Sequence, residues 1–86
     1  MYKVVLLPPA EKVYRRLLKK DPKLFRRIDN VLQDLKISPF EHKLLKDVLK
    51  GKRSCRVGDW RIIYSVESQH VAVYVFAIAH RREVYL

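Results

Sequence analysis

Residues 53–64 read Arg53-Ser54-Cys55-Arg56-Val57-Gly58-Asp59-Trp60-Arg61-Ile62-Ile63-Tyr64. Two runs rich in β-branched and aromatic residues meet at Gly58-Asp59, and glycine at the first loop position supplies the positive φ of a type II′ turn. A two-residue hairpin sets the register. Val57 pairs with Trp60, Arg56 with Arg61, Cys55 with Ile62 and Ser54 with Ile63. A third strand follows at His70 to Ala79. Taking Ser68-Gln69 as the second two-residue turn sets Tyr64 against Val73, Ile62 against Val75 and Arg61 against Phe76. The side-chain period of two then separates two faces. One carries Trp60, Ile62, Tyr64, Val66, Val71, Val73, Val75 and Ala77. The other carries Ser54, Arg56, Arg61, Ile63, Tyr74, Phe76 and His80, and is basic and aromatic together.

The apolar face needs a cover, and the N-terminal half supplies one. Tyr2 to Leu7 reads as a strand ended by Pro8-Pro9, which cannot donate to a ladder but suits the start of a helix. Val13, Tyr14, Leu17 and Leu18 recur there at helical spacing. Lys12, Arg15, Arg16 and Lys19 are left facing water. Asp21-Pro22 is an N-cap followed by proline at the first helical position. Leu24, Phe25, Ile28, Val31, Leu32 and Leu35 form one stripe of the second helix, which Ser38-Pro39 stops. Pro39 to Lys50 reads as a connecting loop with at most a turn of helix. The order β-α-α-β-β-β predicts an α+β fold, with the two N-terminal helices packed on one face of a twisted antiparallel sheet.

At 86 residues the chain has room for one core, so residues 1–86 are read as a single domain. Lysine and arginine outnumber aspartate and glutamate 19 to 9, a formal charge of +10. So dense a positive charge favours polyanionic partners, since each neutralised phosphate releases condensed counterions. The alternative is a merely solvated basic surface. Val4 to Leu7 is too short a run for a membrane span or signal segment, which predicts a cytoplasmic protein with no membrane association. The single cysteine, Cys55, excludes an internal disulfide and reads as a small buried hydrophobe on a strand.

Like charges directly opposite on a sheet repel, so Arg56 against Arg61 lacks a structural reason unless the two splay into solvent. A bound phosphate would supply one. The guanidinium fork grips phosphate oxygens, and neighbouring aromatics such as Tyr74 and Phe76 stack unpaired bases. The segment His80-Arg81-Arg82-Glu83-Val84-Tyr85 brings an imidazole, two more guanidiniums and a phenol to the same end of the sheet. Strict alternation gives Arg81 and Tyr85 the opposite parity from His80. They reach the arginine face only if the strand bends or bulges.

Arg56-Val57-Gly58-Asp59-Trp60-Arg61-Ile62-Ile63-Tyr64, followed by Ala79-His80-Arg81-Arg82-Glu83-Val84-Tyr85, resembles the RelE/ParE toxin superfamily over the whole chain. The resemblance to its RelE-like members implies an endoribonuclease of a type II toxin–antitoxin system that cleaves mRNA on the ribosome. It also implies a cognate antitoxin as partner. It places basic site residues at Arg56, Arg61 and Arg81 and a tyrosine at Tyr85. Ser54 stands where some relatives place a catalytic lysine, with Lys52 and Arg53 close by in sequence, and Ala79 stands where glycine is common.

Cleavage without metal uses the ribose 2′-OH as nucleophile and leaves a 2′,3′-cyclic phosphate and a 5′-OH. The carboxylates near the expected site, Asp59, Glu67 and Glu83, are too scattered to hold a pair of ions, so no metal or other cofactor is expected. Arg61 and Arg81 are expected to stabilise charge on the phosphorane, Arg56 to position the backbone, and Tyr85 to orient the nucleophile or stack on a base. Arg82 adds a phosphate contact. His80 is a candidate acid or base because imidazole titrates near neutrality, with Ser54, Arg53 and Lys52 as further supporting residues. The rival readings are a ParE-like inhibitor of DNA gyrase, which binds without cleaving, and a non-catalytic RNA-binding module.

Overall fold

The computed structural model describes residues 1–84 of the chain. Strand β1 (Lys3–Leu6) runs into helix α1 (Pro8–Lys20), whose first turn takes both prolines where their missing N–H groups cost nothing. Asp21 then caps helix α2 (Pro22–Leu35), its Oδ1 accepting the Leu24 N–H at 3.2 Å. Ala10 and Leu17 of α1, and Ile28, Leu32 and Leu35 of α2, are buried. Leu18, expected in the α1 stripe, is instead 54% exposed on the helix's outer side.

Three further strands form the block read from sequence: β3 (Arg53–Val57), β4 (Trp60–Glu67) and β5 (Ala72–His80). A two-residue strand β2 (Lys43–Leu44) pairs outside β3, and a short 3₁₀ turn follows at Asp47–Leu49, in the stretch expected to be only a connection. The sheet order is β1-β5-β4-β3-β2. The expectation of a wholly antiparallel sheet is corrected at one edge. β1 lies parallel to β5, with Lys3 opposite Ala72 and Leu6 opposite Val75. A parallel pair needs a long crossover, and the two helices belong to it. The last turn of helix, α3 (Arg81–Val84), follows β5 without a break.

The β3–β4 hairpin has the expected register, from Arg53↔Tyr64 through Arg56↔Arg61 to Val57↔Trp60, and Gly58 has the expected positive φ, 60°. The β4–β5 connection differs. Glu67 pairs with Ala72, so the loop is the four residues Ser68 to Val71 rather than the expected Ser68-Gln69 turn. Val71 adopts φ 50°, its N–H donating to Ser68 O at 3.2 Å and its carbonyl accepting from Lys3 N at 2.9 Å. The contact with β1 thus helps hold a conformation that a β-branched residue disfavours.

That longer loop shifts the register by two residues, which leaves the faces unchanged. A bulge then changes them. Tyr64 pairs with Val75 but Ile63 pairs with Ala77, leaving Phe76 as an extra residue in β5. Beyond it, Ala77 moves to the open face, whereas Ile78 and His80 turn toward the helices opposite Ile62 and Trp60. The expected placements of Ala77 and His80 are therefore exchanged. Val71, expected on the helix face, sits in the loop and is 46% exposed. The core is one cluster of Ala10, Leu17, Ile28, Leu32 and Leu35 against Cys55, Val57, Ile62, Tyr64, Val73, Val75 and Ile78. Cys55 is buried as expected, and burial, with a smaller contribution from Asp34, pushes its thiol up in pKa.

Candidate functional site

The site is built on the face of the sheet turned away from the helices. Arg56 and Arg61 are direct cross-strand partners one ladder pair from the Gly58-Asp59 tip. Arg61 is half-buried, and its Nη1 donates to the hydroxyl of Ser54, the diagonal neighbour on β3, at 3.4 Å. Arg56 is exposed. On β5, Ala79 stands opposite Arg61 and Ala77 opposite Ile63.

Lys52 lies two residues before Ser54 on the same parity, and its Nζ rests 4.7 Å from the centroid of the Phe76 ring. Since β4 separates β3 from β5, the lysine stem must cross that strand to make the contact. Ile63 is only 4% exposed although it faces away from the helices, which fits a lid of long side chains over it. The bulge thus presents Phe76 toward Lys52. Tyr74, opposite Ser65, extends the aromatic surface along the same face. Three cations and two aromatic rings share one open sheet face, a combination suited to a phosphodiester chain with unstacked bases.

The remaining expected site residues are placed differently. Arg53 points to the other side of the sheet, where its Nη1 donates to the carbonyls of Phe40 at 3.1 Å and His42 at 2.8 Å and its guanidinium lies over the Phe40 ring. It ties down the 39–42 loop. Beside it the buried Tyr64 hydroxyl donates to Pro39 O at 2.8 Å, and burial pushes this phenol up to about 12.

His80 was expected beside the arginines and lies instead on the helix side, its ring edge-on to Trp60 at a centroid distance of 5.8 Å. There it lines a cleft of about 370 Å³ with Asp21, Lys23, Leu24, Arg27, Val57, Asp59 and Trp60.

Arg81 and Arg82 are exposed at the end of β5. The Arg81 N–H donates to Asp59 O at 2.7 Å, and its Nη1 is 4.0 Å from Asp59 Oδ1, so the residue is drawn to the hairpin tip close to the Arg56–Arg61 pair. Tyr85 lies outside the described residues. Arg27 also belongs to this end of the molecule and was not expected there. A Cβ on Gly58 would fall 3.2 Å from its Nη2. Periodicity marks only the solvent-facing side of α2, so nothing in the sequence connects Arg27 with a tip thirty residues away.

The family model described as the ParE toxin of the type II toxin–antitoxin system parDE matches residues 4–85. No curated protein matches by sequence. Among solved structures, the chain is similar to the toxin–antitoxin complex RelBE2 from Mycobacterium tuberculosis, with 26% identity, a TM-score of 0.81 and coverage of 93% of this chain and 98% of that one. The YoeB/ParE toxin from Agrobacterium tumefaciens gives 20% identity and a TM-score of 0.82 over 91% and 96% of the two chains. The isolated Escherichia coli RelE toxin gives 22% identity and 0.76 over 99% and 92%. At those two identities the likeness is one of fold. Among the described residues no helix is long and apolar enough to cross a membrane.

Proposed function

The chain belongs to the ParE toxin family of type II toxin–antitoxin systems, within the RelE/ParE superfamily, and from that premise we propose that it is an endoribonuclease that cleaves mRNA on the ribosome. The observation that carries this reading is the open face itself. Lys52, Arg56 and Arg61 stand together with Phe76 and Tyr74, although like charges facing each other across a ladder weaken a sheet. A surface whose only task was solubility would gain nothing from that cost, whereas a phosphate bound between the guanidiniums offsets it.

In this reading the RNA backbone lies across the open face with a phosphate at Arg56 and bases against Phe76 and Tyr74. The 2′-oxygen attacks the adjacent phosphorus, the bond to the 5′-oxygen breaks, and the products are a 2′,3′-cyclic phosphate and a 5′-OH. The 2′-OH proton is given up to water, and one proton arrives at the departing oxygen. Lys52 is the open-face group proposed to donate the latter, with Ser54 Oγ holding the Arg61 fork rather than acting on the substrate. Arg61, with Arg81 from the tip, stabilises charge as it develops on the phosphorane, a contribution that is usually large because the donors need no reorganisation. Tyr85 keeps its proposed role of orienting the nucleophile or stacking, and Arg82 that of a phosphate contact. As a type II toxin the protein is partnered by an antitoxin. RelBE2 of M. tuberculosis, its structural relative, is such a toxin–antitoxin complex.

The family model favours a second reading, ParE-like inhibition of DNA gyrase without cleavage. Primer extension on mRNA from a translation reaction, with wild type and Arg61→Ala and with and without ribosomes, separates the two. Cuts that require both ribosomes and Arg61 support the proposal. Absence of cuts together with loss of gyrase supercoiling activity overturns it.

A further inference from the structure

The final ladder pair of the sheet, Trp60↔His80, is followed at once by the helical turn α3. Two backbone N–H groups must be satisfied there. That of Arg81 continues the ladder to Asp59 O at 2.7 Å, but that of Arg82 has turned away from the strand and is taken by His80 Nδ1 at 3.3 Å. A side-chain acceptor receiving the N–H two residues ahead is the geometry of a helix N-cap. Imidazole accepts only through an unprotonated nitrogen, so the bond requires an Nδ1 that carries no proton. The edge-on contact with Trp60 holds the ring in that orientation.

We propose that His80 is a positioning residue: its imidazole, braced by Trp60, caps the C-terminal turn and so holds Arg81 at the Gly58-Asp59 tip beside the Arg56–Arg61 pair. The inference rests on the RNA-cleavage reading for its functional consequence and on geometry alone for the cap. It accounts for the bulge at Phe76. With strict alternation His80 would share the arginine face and could not lie opposite Trp60 on the helix side. One extra residue seats the imidazole on the side where its Nδ1 meets Arg82.

The test uses His80→Phe, which keeps a ring against Trp60 but has no acceptor, and His80→Asn, which keeps an acceptor but no ring. Exchange of the Arg82 amide by NMR and ribosome-dependent cleavage are measured for both. His80→Phe is expected to lose Arg82 protection and about tenfold in kcat, as removal of a helix cap implies, while His80→Asn stays within about threefold of wild type. Retained protection in His80→Phe, or equal losses in both variants, overturns the cap. Should wild type cut no RNA under any condition, the cleavage reading fails, while the exchange data still decide whether His80 caps the turn.

Discussion

The two faces of β4 are made by alternate residues of one strand and have opposite characters. Toward the helices, Ile62 and Tyr64 are fully buried against α1 and α2. Away from them, Arg61 is half-buried beside Ser54 and Ile63 lies under the long side chains of the open face. Backbone hydrogen bonding is shared, so what separates core from candidate site is the parity of each side chain and the layer it meets. Stability and chemistry are thereby divided between residues adjacent in sequence, and substitutions can address either one alone.

The largest effects should come from the neighbours Arg61 and Ile62. Arg61→Ala should lower cleavage by about 10²- to 10³-fold, the scale for removing a transition-state donor, with the denaturation midpoint little changed. Ile62→Ala should cost about 2–5 kcal/mol in urea unfolding because it leaves a cavity in a closed core. Any residual activity of Ile62→Ala should follow the folded fraction. An Arg61→Ala variant that cleaves normally, or one as unstable as Ile62→Ala, breaks the division of labour between the faces.

Where the sequence was legible, the controlling interactions were local. Gly58-Asp59 fixes its own hairpin, Asp21-Pro22 its own helix start, and the α2 stripe follows from spacing alone. The features missed depend on distant partners. Val71 is held in a strained loop by Lys3, β2 is organised around Arg53 and the 39–42 loop, and β1 aligns parallel to a strand some seventy residues later. The candidate site was legible as far as the Arg56–Arg61 pair. His80 lies on the other face from the one alternation predicts because the bulge at Phe76 has no glycine or asparagine to announce it, and parity errors propagate to the end of a strand.

A smaller effect tests the tip that joins the two faces. Gly58→Ala forces an alanine into positive φ and brings its Cβ to 3.2 Å from the Arg27 guanidinium. The backbone penalty is about 1–2 kcal/mol, and the long arginine can swing aside. A thermal melt should show a loss of that size, with cleavage reduced further than stability if the tip also positions Arg81. A loss confined to stability would sever the tip from the chemistry.

Two phenols on the helix side offer a comparison by pH. Burial pushes Tyr64 up to about 12, and burial together with a 2.8 Å hydrogen bond to Asp29 does the same for Tyr14. Both folded values lie above the ordinary 10, so folding favours the protonated phenols. Their contribution is intact below pH 10 and is lost as pH rises from 10 through 12. Stability measured across that window should fall less steeply for Tyr64→Phe and Tyr14→Phe than for wild type. At neutral pH Tyr64→Phe should cost about 1 kcal/mol for the lost bond to Pro39. An unchanged alkaline slope in both variants would place the phenols outside the buried side of the comparison.

The smallest expected change in stability follows from deleting a residue. Phe76 is the extra residue of the bulge, so removing it leaves Val75, Ala77, Ile78, Ala79 and His80 alternating regularly opposite Tyr64 through Trp60. Every other side chain keeps its present face. The ladder gains regularity while the open face loses one ring and its contact with Lys52, a contact worth about 0.5–1 kcal/mol at an exposed site. Deletion of Phe76 should therefore shift the unfolding free energy by less than about 1 kcal/mol, whereas deletion of Ala77 would close the gap with Phe76 and retain the ring on the open face. The two deletions should differ in stability by no more than that contact and differ more clearly in RNA binding, measured as the affinity of a short single-stranded oligonucleotide and its salt dependence. If deleting Phe76 instead unfolds the protein, the bulge is a requirement of the fold, and its placement of an aromatic beside Lys52 is a by-product of packing on the opposite face.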